Sequence, residues 1–319
     1  MLTERSITNG QVASSRPGVT AWLGSDTCYG PSKATARSER ADKVTFSFGR
    51  NWQQFVRKYL TSKRVEQAIN SLKEFLEIPD LRDRTFLDLG CGSGLFSLAA
   101  HRLGASRIVS LDVDPLATAC CKYLRNSSGD PANWTVLEGS VLDKNFLARV
   151  YKADIVYAWG SLHHTGSMWQ AIRNASTLVE DGGVFFLSIY NRVEGRGSSR
   201  YWLKVKRLYN QLPGFGKTAL ETAYLLRYGI LPQLLRLRNP LTSFRNYGQG
   251  RGMNYFADMR DWLGGYPYEF ASASEVFRFC NKDLGLGLIN LRSTNTLATN
   301  EFLFRKQPCT TRISASAIP

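Results

Sequence analysis

The sequence has few of the residues that build metal centres and disulfide scaffolds. Its 319 residues include three histidines and six cysteines, and no two cysteines form a Cys-x-x-Cys pair. This sparse set disfavours a zinc site or a disulfide-stabilised fold, and it favours reduced thiols, a cytoplasmic location and chemistry without a metal. No run of about 18 apolar residues occurs, so no transmembrane helix is predicted.

What the sequence does contain is a glycine-rich turn between a strand and a helix. Residues 85–89 have a strand pattern that runs into Gly90, Gly92 and Gly94, and a helical pattern follows at once. Glycine suits such a turn because a Cβ would hinder positive φ angles or the close approach of a ligand. The order G-x-G-x-G differs from the dinucleotide fingerprint G-x-G-x-x-G. The acidic Asp88 near the strand end instead suits a cationic ligand with an ammonium group.

This stretch resembles the first motif of class I S-adenosylmethionine-dependent methyltransferases, and the resemblance extends from about Phe46 to Arg305. It implies an α/β fold with a doubly wound, mostly parallel, seven-stranded Rossmann-like sheet whose last two strands form an antiparallel hairpin. It also implies S-adenosyl-L-methionine as cofactor, S-adenosyl-L-homocysteine as product and no metal. The chain is further similar to ubiquinone-pathway and natural-product O-methyltransferases, the former of which carry a membrane-binding insertion after the fifth strand.

The resemblance places the cofactor along the ends of the first four strands. The second strand ends at Asp112, where a carboxylate can accept both ribose hydroxyls, whereas Asp114 is expected to cap the next helix. Many family members have an acid after the glycine of the third strand. This chain has Ser140 there, so adenine contacts are expected from the Ser140 hydroxyl and the Val141 backbone. The expected cofactor-binding residues are Asp88, Gly90, Cys91, Gly92, Gly94, Asp112, Val113, Gly139, Ser140, Val141 and Trp159.

Two of the three histidines are adjacent, just beyond the fourth strand. His163 and His164 follow the strand pattern 154–160, at the carboxyl edge where doubly wound sheets bind ligands. An imidazole there can take a proton from an acceptor hydroxyl. The Leu-His-His sequence resembles a loop of O-methyltransferases in which one histidine is the base. The sequence leaves open the alternative that one histidine shapes the cofactor pocket and the other caps the next helix.

A further set of residues is expected to line the acceptor site. The fifth strand, predicted over 183–190 after an Asp-Gly-Gly turn, directs its end towards the acceptor, and aromatic residues flank the Gly264-Gly265 turn. For these aromatic positions, packing in the core is the alternative. The expected acceptor-binding residues are Tyr190, Asn191, Arg192, Trp262, Tyr266 and Glu269.

Positive charge is concentrated in one long insertion. The chain has a formal net charge of +15, and between residues 192 and 251 there are 12 Lys and Arg but only 2 acids, interleaved with Tyr, Trp and Leu. A cationic amphipathic region of this kind is compatible with a lid over the active site, with peripheral contact to an anionic membrane or lipid substrate, and with an anionic soluble substrate. RNA is the least favoured partner, because no separate aromatic platform for single strands is evident.

These observations predict five segments. They are a disordered tail over 1–42, a Rossmann-like cofactor-binding core over 43–191, a basic helical insertion over 192–270, a helix and hairpin over 271–306, and a tail over 307–319. The predicted function is methyl transfer to a small-molecule or lipid-like acceptor, in the cytoplasm or peripherally at a membrane surface. Oxygen is the favoured methylated atom, and nitrogen and carbon remain open. RNA methylation and a non-catalytic, cofactor-binding scaffold are the alternatives.

Overall fold

The computed structural model describes residues 48–242, 244 and 255–308. The predicted tail over 1–42 lies outside the described residues, as do 309–319 and part of the insertion. Everything that follows concerns the described part of the chain.

A mixed sheet of seven strands, in the order β3-β2-β1-β4-β5-β7-β6, forms the centre of the fold. The first five strands pair in parallel, and β7 pairs antiparallel with both β5 and β6. This topology confirms the predicted doubly wound, mostly parallel sheet with an antiparallel pair at its edge. The strands are β1 (Thr85–Leu89), β2 (Arg107–Asp112), β3 (Trp134–Glu138), β4 (Ala153–Trp159), β5 (Val179–Tyr190), β6 (Leu286–Arg292) and β7 (Thr299–Lys306).

Helices cover both faces of the sheet. The described α-helices are α1 (Gly49–Lys58), α2 (Ser62–Leu76), α3 (Leu95–Arg102), α4 (Pro115–Ser127), α5 (Lys144–Leu147), α6 (Met168–Ser176), α7 (Ser199–Gln211), α8 (Gly214–Tyr224), α9 (Leu231–Leu235), α10 (Tyr255–Gly264) and α11 (Ala273–Arg278). None of the helices in the described ranges is long and apolar enough to cross a membrane.

Each face of the sheet contributes to its own hydrophobic core. On one face Phe86 packs with apolar residues of α2, α3 and α4, while on the other Leu87 and Leu89 pack with residues of α6 and α11. Because parallel strands covered on both sides are buried throughout, they read as continuous apolar runs in the sequence. This burial leaves the carboxyl ends of the strands as the place where polar side chains collect.

A chain of buried hydrogen bonds crosses one of these cores. The indole Nε1 of Trp134 donates to Ser110 Oγ at 2.8 Å, Ser110 donates to Ser97 Oγ at 2.7 Å, and Ser97 donates to Asp88 Oδ2 at 2.6 Å. All four residues are buried. The chain ties β3, β2 and α3 to the end of β1 and so fixes the position of Asp88.

Local sequence signals mark several of the helix starts. Asp114 caps α4 with Pro115 in its first turn, Asp143 caps α5, and Ser272 and Glu275 form a capping box at the start of α11. The helical pattern before the first strand divides into two helices, because Thr61 begins a new helix by capping α2.

The start of the fifth strand was predicted incorrectly. The expected Asp-Gly-Gly turn lies inside β5, which begins at Val179 rather than at Gly183. Ala153 pairs with Val179 and Ile155 pairs with Val184, so residues 180–183 bulge out between two ladder positions. A bulge has the same residue preferences as a turn, which explains the misassignment.

The insertion forms a third, aromatic cluster beside the end of β5. Trp202 and Tyr209 of α7 pack there with Met259 and Leu263 of α10 and with Tyr268. Tyr190, the last residue of β5, is packed against this cluster. The insertion is therefore held to the sheet at the same edge as the polar strand ends.

Replacing Ser110 with alanine should lower the free energy of unfolding by about 1–3 kcal/mol, because the buried Trp134 Nε1 would lose its acceptor. Chemical denaturation of the purified variant measures this. Ser106→Ala, an exposed serine four residues earlier, is the matched control and should change stability by less than about 0.5 kcal/mol. Equal effects of the two substitutions would show that the hydrogen-bonded chain does not stabilise the fold.

Candidate active site

The predicted cofactor-binding residues converge because β3, β2, β1 and β4 are consecutive neighbours in the sheet. Their carboxyl ends lie at one edge, and the loops that leave them contact one another. Ser161, just after β4, donates to Leu89 O at 2.6 Å, and Gly90 N donates to Leu111 O at 2.7 Å. The loops after β1, β2 and β4 are therefore held together by direct hydrogen bonds.

The three glycines after β1 are required by both conformation and space. Gly90, Gly92 and Gly94 have φ angles of 76°, 52° and 82°, in the left-handed region that L side chains rarely adopt. A Cβ on Gly90 would lie 2.3 Å from Ser161 Cβ, and one on Gly94 would lie 2.8 Å from Cys121 Sγ. The loop is thus packed tightly against β4 on one side and α4 on the other.

The carboxylate of Asp112 holds this loop from the end of β2. Asp112 Oδ2 accepts from Gly92 N and Asp112 Oδ1 accepts from Asp114 N, both at 2.9 Å. Asp114 in turn accepts from Leu116 N at the start of α4 and from Gly49 N at the start of α1. Asp112 and Asp114 thereby connect the glycine loop to two helix N-termini.

Asp88 is a buried carboxylate with no basic neighbour among the charges that act on it. Burial raises its pKa to about 7, the hydrogen bond from Ser97 opposes this shift, and the charge of Asp112 adds to it. Burial likewise raises the pKa of Asp112. A cationic ligand at this edge would favour the ionised form of both acids. The site therefore fits a sulfonium compound that also carries an ammonium group.

The remaining predicted cofactor residues lie along the same edge. Val113, immediately after Asp112, is 68% exposed, and Gly139 N donates to Asp112 O at 2.9 Å. Ser140 Oγ accepts from Leu142 N, and Val141 O accepts from the side chain of Asn174. These contacts shape the turn after β3 and leave Val113 as an exposed apolar surface.

Cys91 and Trp159 differ in exposure. Cys91 is buried, and hydrogen bonding with Cys121 together with burial holds the pKa of its thiol well above the ordinary value. Trp159, at the end of β4, is 43% exposed and donates from Nε1 to Glu301 Oε1 at 2.8 Å. Its indole is therefore anchored to β7 while one face remains open.

The two histidines occupy a short 3₁₀ turn after β4 and are neutral. His164 Nδ1 lies 2.5 Å from Pro267 O, and since a carbonyl oxygen can only accept, Nδ1 carries the proton and Nε2 carries the lone pair. Burial lowers the pKa of His164 to about 4, and burial also lowers the pKa of His163 well below its ordinary value. A neutral imidazole of this tautomer can accept a proton at Nε2.

Tyr190 brings several of the predicted acceptor residues together. Its ring centroid lies 4.2 Å from that of His163, 5.7 Å from that of His164 and 6.0 Å from that of Trp262. These four residues come from the turn after β4, from β5 and from α10. They form one aromatic and imidazole cluster beside the glycine loop.

Asn191 and Arg192 have their partners elsewhere. Asn191 Nδ2 donates to Thr294 O and Thr296 O, and its Oδ1 accepts from Asn300, so the side chain joins the end of β5 to the β6–β7 loop. Arg192 pairs with Glu275 at 2.9 Å. These contacts tie both side chains to the framework of the sheet, and their contact with an acceptor stays a prediction.

Glu269 and Tyr266 also have partners outside the cluster. Both carboxylate oxygens of Glu269 accept from Met168 N, at 3.0 and 3.1 Å, which places this acid at the positive end of α6. The guanidinium of Arg207 lies 5.9 Å from the Tyr266 ring centroid. The backbone N of Glu269 donates to His163 O, so a backbone hydrogen bond holds this segment against the turn that carries the two histidines.

The aromatic segment 48–52, at the start of α1, also contributes contacts to the site. A Cβ on Gly92 would lie 2.8 Å from the Trp52 indole, and the Phe48 ring lies 4.9 Å from His164. Asn51 donates to Asp261 of α10. One helix therefore covers the glycine loop and contacts the acceptor cluster as well.

Reasoning from the sequence missed Lys206, because this residue was counted among the charges of the insertion. It is fully buried, donates to Trp262 O, and places Nζ 3.9 Å from the Trp262 ring centroid. The available signal was its position on α7, between Trp202 and Tyr209 on one helical face. Lysine is almost never fully buried unless it is paired, so a lysine inside an apolar stripe is an unusual feature.

The sequence pattern of a methyltransferase domain family matches residues 59–226, which is more than half of the chain. The chain belongs to the class I S-adenosylmethionine-dependent methyltransferase family. The match begins in the α1–α2 region and ends within the insertion, so it includes all of the predicted cofactor-binding residues.

Curated relatives of this methyltransferase match it over a short region. The ribosomal protein L11 methyltransferase of Aliivibrio salmonicida is 36% identical over 85 residues, which cover 27% of this chain and 29% of the relative. The enzyme of the same name from Colwellia psychrerythraea is 55% identical over 77 residues, covering 22% and 26%. The chain thus spans less than a third of the length of these relatives.

Solved methyltransferase structures are similar to this chain at low identity. Magnesium protoporphyrin IX methyltransferase from Synechocystis, solved with bound SAH, has a TM-score of 0.48 and 12% identity, and covers 82% of this chain and 95% of its own. An O-methyltransferase family protein from Burkholderia thailandensis has a TM-score of 0.48 and 14% identity, with coverages of 82% and 60%.

The affinity of this methyltransferase for S-adenosylmethionine should fall as the pH drops below about 7. The pKa of Asp88 is about 7 in the free protein, so at lower pH its proton must be lost before the cation binds. The expected loss is up to about tenfold in affinity per pH unit. Calorimetric titration between about pH 5.5 and 7.5 measures it, with proton release detected from the buffer dependence.

The Asp88→Asn variant should bind S-adenosylmethionine more weakly at neutral pH, and its affinity should no longer depend on pH in this range. Asp83→Asn, which changes an exposed acid near the same strand, is the matched control and should retain the wild-type profile. If the affinity of the wild-type protein for S-adenosylmethionine did not change with pH, Asp88 would not belong to the binding site.

Proposed function

We propose that this protein transfers a methyl group from S-adenosylmethionine to an oxygen of a small-molecule or lipid-like acceptor. The proposal rests on His164, a neutral imidazole whose Nδ1–H is held by Pro267 O and whose Nε2 can take a proton. It lies in the turn that follows Ser161, which bonds to the end of β1 beside the glycine loop. A proton acceptor beside the cofactor edge is what an acceptor hydroxyl requires.

The bound cofactor would supply an electrophilic methyl group. Asp88 would stabilise its positive charge, and Asp112 would bind its ribose hydroxyls. The glycine loop would let the cofactor approach the protein backbone closely. Tyr190 and Trp262 would orient the acceptor, and Trp52 on α1 would exclude water from the loop. Positioning of the acceptor oxygen supplies most of the rate in this scheme, with His164 removing its proton.

His164→Gln should lower the turnover rate by about a hundredfold or more while leaving S-adenosylmethionine affinity nearly unchanged, because the lost group acts on the acceptor. The assay uses methyl-labelled cofactor with cell extract, separated into lipid, polar small-molecule, protein and RNA fractions. His101→Gln changes the remaining histidine, on α3 beside Trp134, and should retain wild-type turnover.

The distribution of label tests the acceptor class. Label in the lipid or small-molecule fraction, lost in His164→Gln, supports the proposal. Label confined to protein would instead point to an acceptor like the one named for the ribosomal protein L11 methyltransferases, and label confined to RNA would overturn the acceptor class as well. Cofactor binding with no label in any fraction would favour the scaffold alternative.

A surface of the insertion supports a lipid-like acceptor. Between residues 226 and 241 the chain contains Arg227, Arg236 and Arg238 and no acid. The large apolar side chains that it exposes are Leu226, Tyr228, Leu231, Leu234, Leu235, Leu237 and Leu241. Leu237 is 97% exposed and Leu235 77% exposed. Exposed leucines beside arginines are typical of segments that bind anionic membrane surfaces.

Leu235→Glu combined with Leu237→Glu should weaken binding to vesicles of mixed phosphatidylserine and phosphatidylcholine by at least about tenfold, because apolar contact is lost and two negative charges are added. Vesicle co-sedimentation measures this. Gln67→Glu combined with Asn70→Glu adds the same charge to the exposed side of α2 and should have a much smaller effect. Equal weakening by both pairs would mean that net charge alone drives binding.

A further inference from the structure

The ammonium of Lys206 lies in an unusual environment for a lysine. The side chain has no exposed surface, its Nζ donates to Trp262 O, and the ring centroids of Trp262 and Tyr268 lie 3.9 and 4.8 Å away. In the described part of the chain no carboxylate lies within 4.0 Å of it, and the acid that acts on it at longer range is Asp261. Burial lowers the pKa of Lys206 to about 7, so its ammonium form is disfavoured unless an anion pairs with it.

Other buried polar groups near Lys206 are poorly bonded. No hydrogen bond of normal geometry joins a described residue to the ring nitrogens of His163, the Ser188 hydroxyl or the Tyr268 hydroxyl. The Ser188 backbone still acts on the His163 ring, and the Ser199 hydroxyl acts on Tyr268. Tyr190 contacts both rings, since its ring centroid lies 4.2 Å from that of His163 and 5.0 Å from that of Tyr268. Most buried polar groups in proteins are satisfied, so a cluster of unsatisfied ones indicates a place where a ligand makes the hydrogen bonds.

The chemistry of this cluster selects the ligand. A cation attracts an anionic oxygen, hydroxyl and imidazole groups bond to oxygen, and the rings of Tyr190, Trp262 and Tyr268 offer flat apolar walls. We propose that Lys206, His163, Ser188 and Tyr268 form a receptor for the acidic oxygen of a planar acceptor, either a phenol or an aromatic carboxylic acid. This inference rests on the proposed function and narrows its acceptor class.

Charge and atoms balance in the transfer. A phenolic acceptor loses its proton to His164, whereas a carboxylic acid arrives already ionised, and in either case the oxyanion is held by the Lys206 ammonium. The new O–CH₃ bond then forms as the S–CH₃ bond of the cofactor breaks, and the electron pair of that bond stays on sulfur. The product is a neutral ether or ester, which no longer pairs with Lys206, while the abstracted proton passes to solvent.

The direct test compares acids with neutral molecules of the same shape. Full-length protein saturated with S-adenosylhomocysteine is titrated with benzoate and benzamide, and with 4-nitrophenol and nitrobenzene. We expect at least one acid to bind about tenfold or more tightly than its neutral counterpart, and the pair that shows the preference distinguishes a carboxylate from a phenolate. Equal affinity within both pairs would overturn the proposal.

Lys206→Met and Lys206→Gln should abolish this preference. Lys204→Met, which removes an exposed lysine from the opposite side of α7, is the matched control and should retain it. The glutamine variant keeps a donor for Trp262 O, so it tests the charge even where the methionine variant fails to fold. A preference that survives in Lys206→Gln would show that the cation is not the recognition element.

Thermal unfolding separates binding from a purely structural role. Replacing an unpaired buried charge with an apolar side chain of similar size should leave the melting temperature of Lys206→Met unchanged or raise it. A clear drop in both Lys206 variants, with acid preference unchanged in Lys206→Gln, would assign the lysine to packing. If acid binding depends on Lys206 but no fraction of cell extract is methylated, the proposed function fails while the anion receptor stands.

Discussion

The hydrogen bonds of the Asp112 carboxylate are the constraint on which the candidate site depends. One oxygen fixes Gly92 in the glycine loop and the other fixes Asp114, which holds the N-termini of α4 and α1. A carboxylate has about four lone-pair directions, so two remain for hydroxyls of a ligand. The acid that shapes the loop therefore keeps two acceptor directions for the predicted contact with ribose hydroxyls.

Signals that act within a few residues made the cofactor half of the molecule predictable. The strand–glycine–helix unit at 85–96, the acid at the end of β2 and the capping residues Asp114 and Ser272 all depend on neighbours in the chain. A bulge resembles a turn at the same local level, and the start of β5 was therefore misplaced.

The acceptor half was less predictable because its contacts join distant segments. Asn191 reads as a polar residue at a strand end, yet Thr294, Thr296 and Asn300 satisfy it from more than a hundred residues away. In the sequence, Lys206 resembles the other basic residues of the cationic insertion. In the structure it is buried against α10, where it donates to Trp262 O. The net charge of a segment can be counted from the sequence, but which of its charged side chains are exposed to solvent depends on the tertiary structure.

The two halves also differ in how their interiors are stabilised. The cores on the faces of the sheet are largely apolar, and a connected chain of buried hydrogen bonds that crosses one of them ends on Asp88. The aromatic cluster of the insertion instead buries Lys206 and poorly bonded polar groups, at a cost of about 1–3 kcal/mol for each unsatisfied group.

Contact of α1 with both regions has a thermodynamic consequence. Because α1 reaches Gly92 through Trp52 and α10 through Asn51, any shift of this helix that one ligand favours alters the affinity for the other by the same factor in both directions.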